Sequence, residues 1–134
     1  MKVYTPKQGD FIALTFDPQS GHEQKGRRPS LVLSKEPFNR ATGLSIVCPL
    51  TNTDRNFPFH VPVDLQAPPS PGRDKFRRNV SSLRDLRLNS TLTGFIMTEQ
   101  VKSIDFKARK AKFIALAPQD VLNEVLAILD ACLY

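Results

Sequence analysis

The chain has 134 residues, with 19 Lys and Arg against 13 Asp and Glu, for a net charge of +6. That length suits a single domain spanning the chain, whose core needs no disulfide or metal staple. At 40% hydrophobic and 24% charged residues the composition excludes a disordered chain. No apolar run approaches the ~20 residues of a membrane-spanning helix, and the start MKVYTPKQGD lacks the apolar stretch of a signal peptide. A cytoplasmic protein without a membrane contact is expected, and the isoelectric point near 9.6 points to an anionic partner, nucleic acid first.

The first element is a strand over Asp10–Phe16 (DFIALTF), apolar on both faces and therefore central. The polar stretch Asp17–Pro29 (DPQSGHEQKGRRP) then reads as a long loop of the kind that carries function. Strands follow at Ser30–Ser34 and Leu44–Leu50, separated by the turn-rich KEPFNRATG. In Phe57–Val63 the two prolines lie opposite Phe57, Phe59, Val61 and Val63, which makes it an edge or bulged strand, with Phe16, Phe57 and Phe59 expected in the core.

The segment 66–90 differs in kind. Between Pro71 and Ser90 it holds six basic residues and two acidic ones, four of the six net positive charges, and reads as an extended basic loop. Strand patterning returns at Leu92–Thr98 and Lys112–Leu116. The last element is a helix: Val121, Leu122, Val125, Leu126, Ile128, Leu129, Cys132 and Leu133 share less than half of its circumference, and Pro118 fits its first turn. The class is small, β-rich and antiparallel, a compact barrel or half-barrel with one amphipathic C-terminal helix.

Cys48 and Cys132 sit in apolar stretches and read as reduced core residues. His22 and His60 lie far apart with no ligand-spaced neighbours, so neither a metal site nor a cofactor is expected. The chain has no phosphate-cradling glycine loop and no nucleophile elbow. Two polar spots remain. The long loop gathers Glu23, Lys25, Arg27 and Arg28, and Pro29 restricts Arg28 to extended backbone. Thr51, Asn52 and Thr53 follow the buried strand Leu44–Leu50, where a sheet holds polar groups rigidly at its rim. On local sequence alone, Arg28 reads as a surface charge paired with Glu23, and Thr51 as a turn or cap residue.

These residues carry a resemblance. Gly21 to Pro29 (GHEQKGRRP) is similar to the G-x-E-x-x-G-x-R-P loop of the MazF/PemK (Kid) toxins, the ribonuclease halves of bacterial toxin–antitoxin modules. Gln8-Gly9-Asp10, Phe16-Asp17-Pro18, Pro29–Ser34, Cys48–Thr51, Phe57–Phe59 and Glu99–Asp105 match in the same order. Two departures stand out: the segment 66–90 is much longer than in compact members, and Asn52 replaces a common Ser or Thr. The resemblance implies an SH3-like antiparallel barrel with a C-terminal helix, a homodimer with an RNA groove across its subunits, and an acidic antitoxin peptide as inhibitor. It also implies metal-independent cleavage of single-stranded RNA at a short sequence, leaving a 2′,3′-cyclic phosphate and a 5′-hydroxyl. The family's catalytic arginine falls on Arg28, its catalytic threonine on Thr51 and its loop glutamate on Glu23. Gln100 and Lys102 fall beside the groove, and Lys25, Arg27 and Asn52 join them as RNA-binding candidates.

The chemistry asks for the same residue types. Attack by a 2′-hydroxyl needs a base, donors for the phosphorane oxygens, and a proton for the departing 5′-oxygen. A guanidinium matches phosphate bidentately and keeps its charge. Glu23 is a candidate base or a residue that only positions Arg28 or Lys25. The alternative is a non-catalytic interaction module: CcdB-like toxins act on DNA gyrase from the same barrel. They end in Trp-Gly-Ile, whereas this chain has no Trp and ends Ala-Cys-Leu-Tyr.

Overall fold

In the computed structural model, which describes residues 3–15, 27–65 and 92–134, seven strands form one curled antiparallel sheet. β1 (Asp10–Thr15), β2 (Arg27–Val32), β3 (Leu44–Thr51), β4 (His60–Leu65), β5 (Leu92–Met97), β6 (Lys102–Asp105) and β7 (Lys112–Leu116) lie in the order β4-β5-β3-β2-β1-β7, with β6 also on β3. Among the described residues two helices accompany the sheet, α1 (Glu36–Thr42) and α2 (Gln119–Leu133). The half-barrel with a C-terminal helix expected from sequence is the architecture observed.

β1 is central because both of its faces are buried. Phe11 enters a cluster with Leu31, Cys48, Ile96, Leu122 and Val125, beneath α2. The next residue, Ile12, points the opposite way with Leu14 into a second cluster of Val32, Val47, Ile104 and Phe106. The period-two alternation of a strand thus feeds two cores at once.

β3 organises the site. On one edge it pairs β2 through Ser30 opposite Pro49, Leu31 opposite Cys48 and Val32 opposite Val47. Its other edge takes β6 along Leu44–Val47 and β5 at Leu50 and Thr51. Leu50 faces Ile96 and Ser45 faces Ile104, so the partner strand carries three more residues than β3 over that stretch. They are accommodated by a single 3₁₀ turn, Thr98–Gln100. β5 and β6 are in effect one strand interrupted by a large bulge, the device that bends a sheet and re-aims side chains.

Several expectations need correction. KEPFNRATG holds a short helix, α1, with proline in its first turn, a Glu36–Arg40 pair one turn apart, and Gly43 at φ 77° closing it. Its Asn39 is fully buried and donates to the carbonyls of Pro6 (2.8 Å) and Ser34 (3.1 Å), pinning the N-terminal segment. Phe57 and Phe59 lie on the surface rather than in the core. The chain turns at Asn56, φ 53°, and β4 begins only at His60, so the alternation read from Phe57 onwards applies from Val61. The two rings pack edge to face at 5.3 Å, and Phe57 does the same against His60 at 5.2 Å. β4 is nonetheless an edge strand with Pro62 exposed, as its prolines require. Cys132 is exposed, as is the whole last turn of α2 from Asp130 onwards; Cys48 is buried, and burial pushes its thiol up to about 12. Pro118 caps α2 from just outside its first turn. Phe16 and the segment 66–90 lie outside the described residues.

Candidate active site

β2 pairs with β1 from Arg27 to Leu31, with Leu14 opposite Arg28 and Thr15 opposite Arg27, but its pairing with β3 stops at Ser30 and Pro49. Continuing the β2–β3 register by two residues sets Arg28 opposite Thr51. Residues directly opposite in an antiparallel pair project to the same face. Along that face the sequence of pairs runs Val32 with Val47 in the core, then Ser30 with Pro49, then Arg28 with Thr51 where the strands part. A cleft of about 400 Å³ fills the gap, lined by Arg27, Arg28, Pro29, Leu50, Thr51, Asn52, Thr53 and Thr93.

Thr51 is partly buried, and its Oγ accepts a hydrogen bond from the Thr53 amide at 3.2 Å. That bond uses a lone pair and leaves the hydroxyl proton as a donor into the cleft. Arg27 borders the same cleft, yet its guanidinium donates to the Thr15 hydroxyl at 2.7 Å, the Ala13 carbonyl at 3.3 Å, and the Lys110 carbonyl. It is a strap across β1 and the turn before β7, and contributes fixed positive charge rather than a mobile arm.

Arg28 also lines a second, smaller cleft of about 170 Å³ with Gln100, Lys102, Arg109 and Met97, floored by Leu14, Ser30, Pro49 and Ile104. The bulge at Thr98–Gln100 delivers Gln100 to this cleft. Lys102 is two residues from Ile104 on β6 and therefore shares its face. Arg109 is held by its Nη1 bond to the Thr15 carbonyl at 3.2 Å and by the Thr15 amide bonding its own carbonyl at 2.9 Å. Arg28 thus forms the wall between two adjoining clefts. Among the described residues that line them there is no carboxylate.

Of the residues singled out in the sequence, the structure brings Arg27, Arg28, Thr51 and Asn52 to one cleft and Arg28, Gln100 and Lys102 to the other. Glu23 and Lys25 lie outside the described residues. Sequence reasoning placed Thr53 in the polar spot after β3 but missed Arg109, Thr93 and Met97; only the basic run Lys107–Lys112 hinted at the first of these. Among the described residues no three His, Cys, Asp or Glu side chains stand together as a metal-binding group. None of the described helices is long and apolar enough to cross a membrane.

A curled antiparallel sheet whose strands part over a cationic cleft defines a small β-rich domain with a surface suited to an anionic partner. Residues 7–82 match the model of the PemK-like, MazF-like toxins of type II toxin–antitoxin systems. The chain is 34% identical over 129 residues to the endoribonuclease toxin ChpB of Escherichia coli K12, covering 93% of this chain and 91% of ChpB. It is also 34% identical over 119 residues to the endoribonuclease toxin MazF of the same strain, covering 88% and 86% of the two chains. A crystal structure of MazE-MazF from Deinococcus radiodurans superposes with a TM-score of 0.69 at 31% identity, covering 98% of this chain and 97% of that one. The chain belongs to the MazF/PemK toxin family.

Proposed function

We propose that this protein is the toxin of a toxin–antitoxin pair, an endoribonuclease that cleaves single-stranded RNA at a short sequence without a metal ion, working in the cytoplasm as a homodimer. The observation that carries the reading is the placement of a guanidinium and a hydroxyl, Arg28 and Thr51, across one open cleft at the end of the β2–β3 pair. The 2′-oxygen attacks the adjacent phosphorus and the bond from phosphorus to the 5′-oxygen breaks, giving a 2′,3′-cyclic phosphate and a 5′-hydroxyl. Charge builds on the non-bridging oxygens as the phosphorane forms. Arg28 offers two parallel donors to those oxygens and Thr51 a third, the preorganised stabilisation that works best where water is partly excluded. The 2′-hydroxyl proton passes to a base, for which Glu23 is the candidate, either directly or as the residue that positions Arg28 or Lys25. The leaving oxygen takes up a proton. A guanidinium surrenders its proton only at high cost, so Arg28 serves as an electrostatic clamp rather than the literal acid.

The smaller cleft is suited to the neighbouring nucleotide: Lys102 and Arg109 for a flanking phosphate, Gln100 for a base edge or sugar hydroxyl. Lys25, Arg27 and Asn52 complete the RNA-facing set. The same cationic surface fits an acidic antitoxin peptide, which would compete with RNA for it. The test is purified protein with a long single-stranded RNA in EDTA, comparing wild type with Arg28→Ala and Thr51→Ala. Metal-independent cleavage by wild type and its loss in both variants is expected. An inactive wild type would favour a non-catalytic interaction module, and cleavage surviving both substitutions would move the site elsewhere.

A further inference from the structure

We propose that Gly94 is a positioning residue for Thr51, an inference that rests on the catalytic reading of Thr51 given above. Gly94 lies on β5, opposite Val63 of the edge strand β4 and next to Phe95, which pairs with Thr51. Its φ is 150°, a backbone conformation that L side chains rarely adopt. A Cβ placed there would stand 2.9 Å from the Thr51 carbonyl oxygen, 3.6 Å from the Thr51 carbonyl carbon and 3.6 Å from Asn52 Oδ1. The closest of these is a backbone atom, which cannot swing aside as a side-chain tip could. Any residue other than glycine would therefore push on the strand end that carries Thr51, or be pushed by it.

The other glycines with positive φ among the described residues make the contrast. At Gly43, φ 77°, a Cβ would meet nothing within 4 Å, and at Gly9, φ 95°, it would only touch the Leu122 side chain at 3.6 Å. Among these three, Gly94 alone lets one strand close onto the backbone of the cleft. Thr51 is attached to β3 on one side, no longer paired to β2, and seated on β5 through Phe95. The separation of its hydroxyl from Arg28 is thus set on the β5 edge, at the point where Gly94 admits the Thr51 carbonyl. A misplacement of ~1 Å in such a constellation can cost about 10²-fold in rate.

The experiment compares wild type, Gly94→Ala, Gly43→Ala and Thr51→Ala, first mapping one cleavage site in a long RNA and then using an oligonucleotide that spans it. For Gly94→Ala, kcat should fall about 10²-fold while KM stays within about threefold. Affinity for the same oligonucleotide with a 2′-deoxy sugar at the scissile position should be equally unmoved. Its thermal midpoint should lie below that of Gly43→Ala, whose φ of 77° is the milder left-handed region, whose Cβ meets nothing and which should retain wild-type kcat; rates are therefore compared per folded molecule, below both midpoints. Adding Gly94→Ala to Thr51→Ala should slow the reaction no further, since a displaced threonine and an absent one cost the same step. A Gly94→Ala protein with near wild-type kcat would overturn the proposal, as would one that loses kcat and affinity together or no longer folds, because the glycine would then serve the sheet and not the threonine. An inactive wild type, or an unaffected Thr51→Ala, would instead remove the catalytic reading of Thr51 itself.

Discussion

The two ends of the β1–β2–β3 ladder are built from the same strands and do opposite things. At the closed end Ile12, Val32 and Val47 are fully buried, and the Gly9 amide bonds the Val32 carbonyl at 2.9 Å to seal the strand start. At the open end the same face carries Arg28 and Thr51, with β3 already parted from β2. A single register therefore grades from dry hydrocarbon to a wet cationic cleft within a few residues. The closed end fixes the register that sets the two residues opposite each other, while at the open end Thr51 is seated on β5 through Phe95 and its surroundings are polar.

Substitutions should separate the two ends. The largest effect is expected at the open one: Arg28→Ala should reduce kcat on RNA by about 10²–10³-fold, the range for losing a preorganised donor, with the midpoint of urea unfolding unchanged. A parallel loss of stability would show that the ends are not independent. At the closed end Val47→Ala should cost about 2 kcal/mol in urea unfolding, from lost transfer energy and a residual cavity. Its kcat per folded molecule should stay at the wild-type value.

Two smaller effects sharpen the contrast. Asp10 is buried at the closed end, where its carboxylate accepts bonds from the Tyr4 hydroxyl and the Lys7 amide (3.0 Å). Burial raises its pKa above the ordinary value and outweighs those bonds. The folded state then holds that proton more tightly than the unfolded chain. The stabilisation from this group is full at pH below the ordinary aspartate value and is lost as pH rises through the folded pKa. Asp10→Asn should flatten that fall, so its stability relative to wild type improves from pH 4 to pH 7 in paired denaturation curves; a pH-independent difference would refute the assignment. Smallest of all, Lys102→Ala should leave kcat intact and reduce the slope of log affinity against log salt by about one unit.

The features legible in sequence were those with a strong period or a fixed chemistry. β1 and β3 showed uninterrupted apolar runs, α2 a clean stripe, and Arg28 and Thr51 stood at the rims of two predicted strands. The register that brings them together was also latent there, since pairing Val32 with Val47 already sets Arg28 against Thr51. α1 escaped because seven residues with proline near the start and glycine at the end look like turn chemistry until tertiary packing, through buried Asn39, fixes them as a helix. The exposure of Phe57 and Phe59 depends on where the turn at Asn56 lets β4 begin, which composition does not encode. Cys132 shares the apolar stripe of α2, but a stripe does not say how much of its length is buried. Arg109 reaches the smaller cleft only through its bonds to Thr15, a contact between residues 94 apart in the chain.

The 3₁₀ turn between β5 and β6 restricts how this surface can change over evolutionary time. Side chains in a strand alternate between faces, so inserting or deleting one residue at Thr98–Gln100 while keeping the β5 pairing would turn Lys102 and Ile104 over together. The cation would be driven into the hydrocarbon and the isoleucine into water. The turn can therefore exchange one amino acid for another, altering what position 100 presents to the smaller cleft, but its length is locked. Drift in target preference along this lineage should proceed by substitution at that turn, with insertions and deletions confined to other loops.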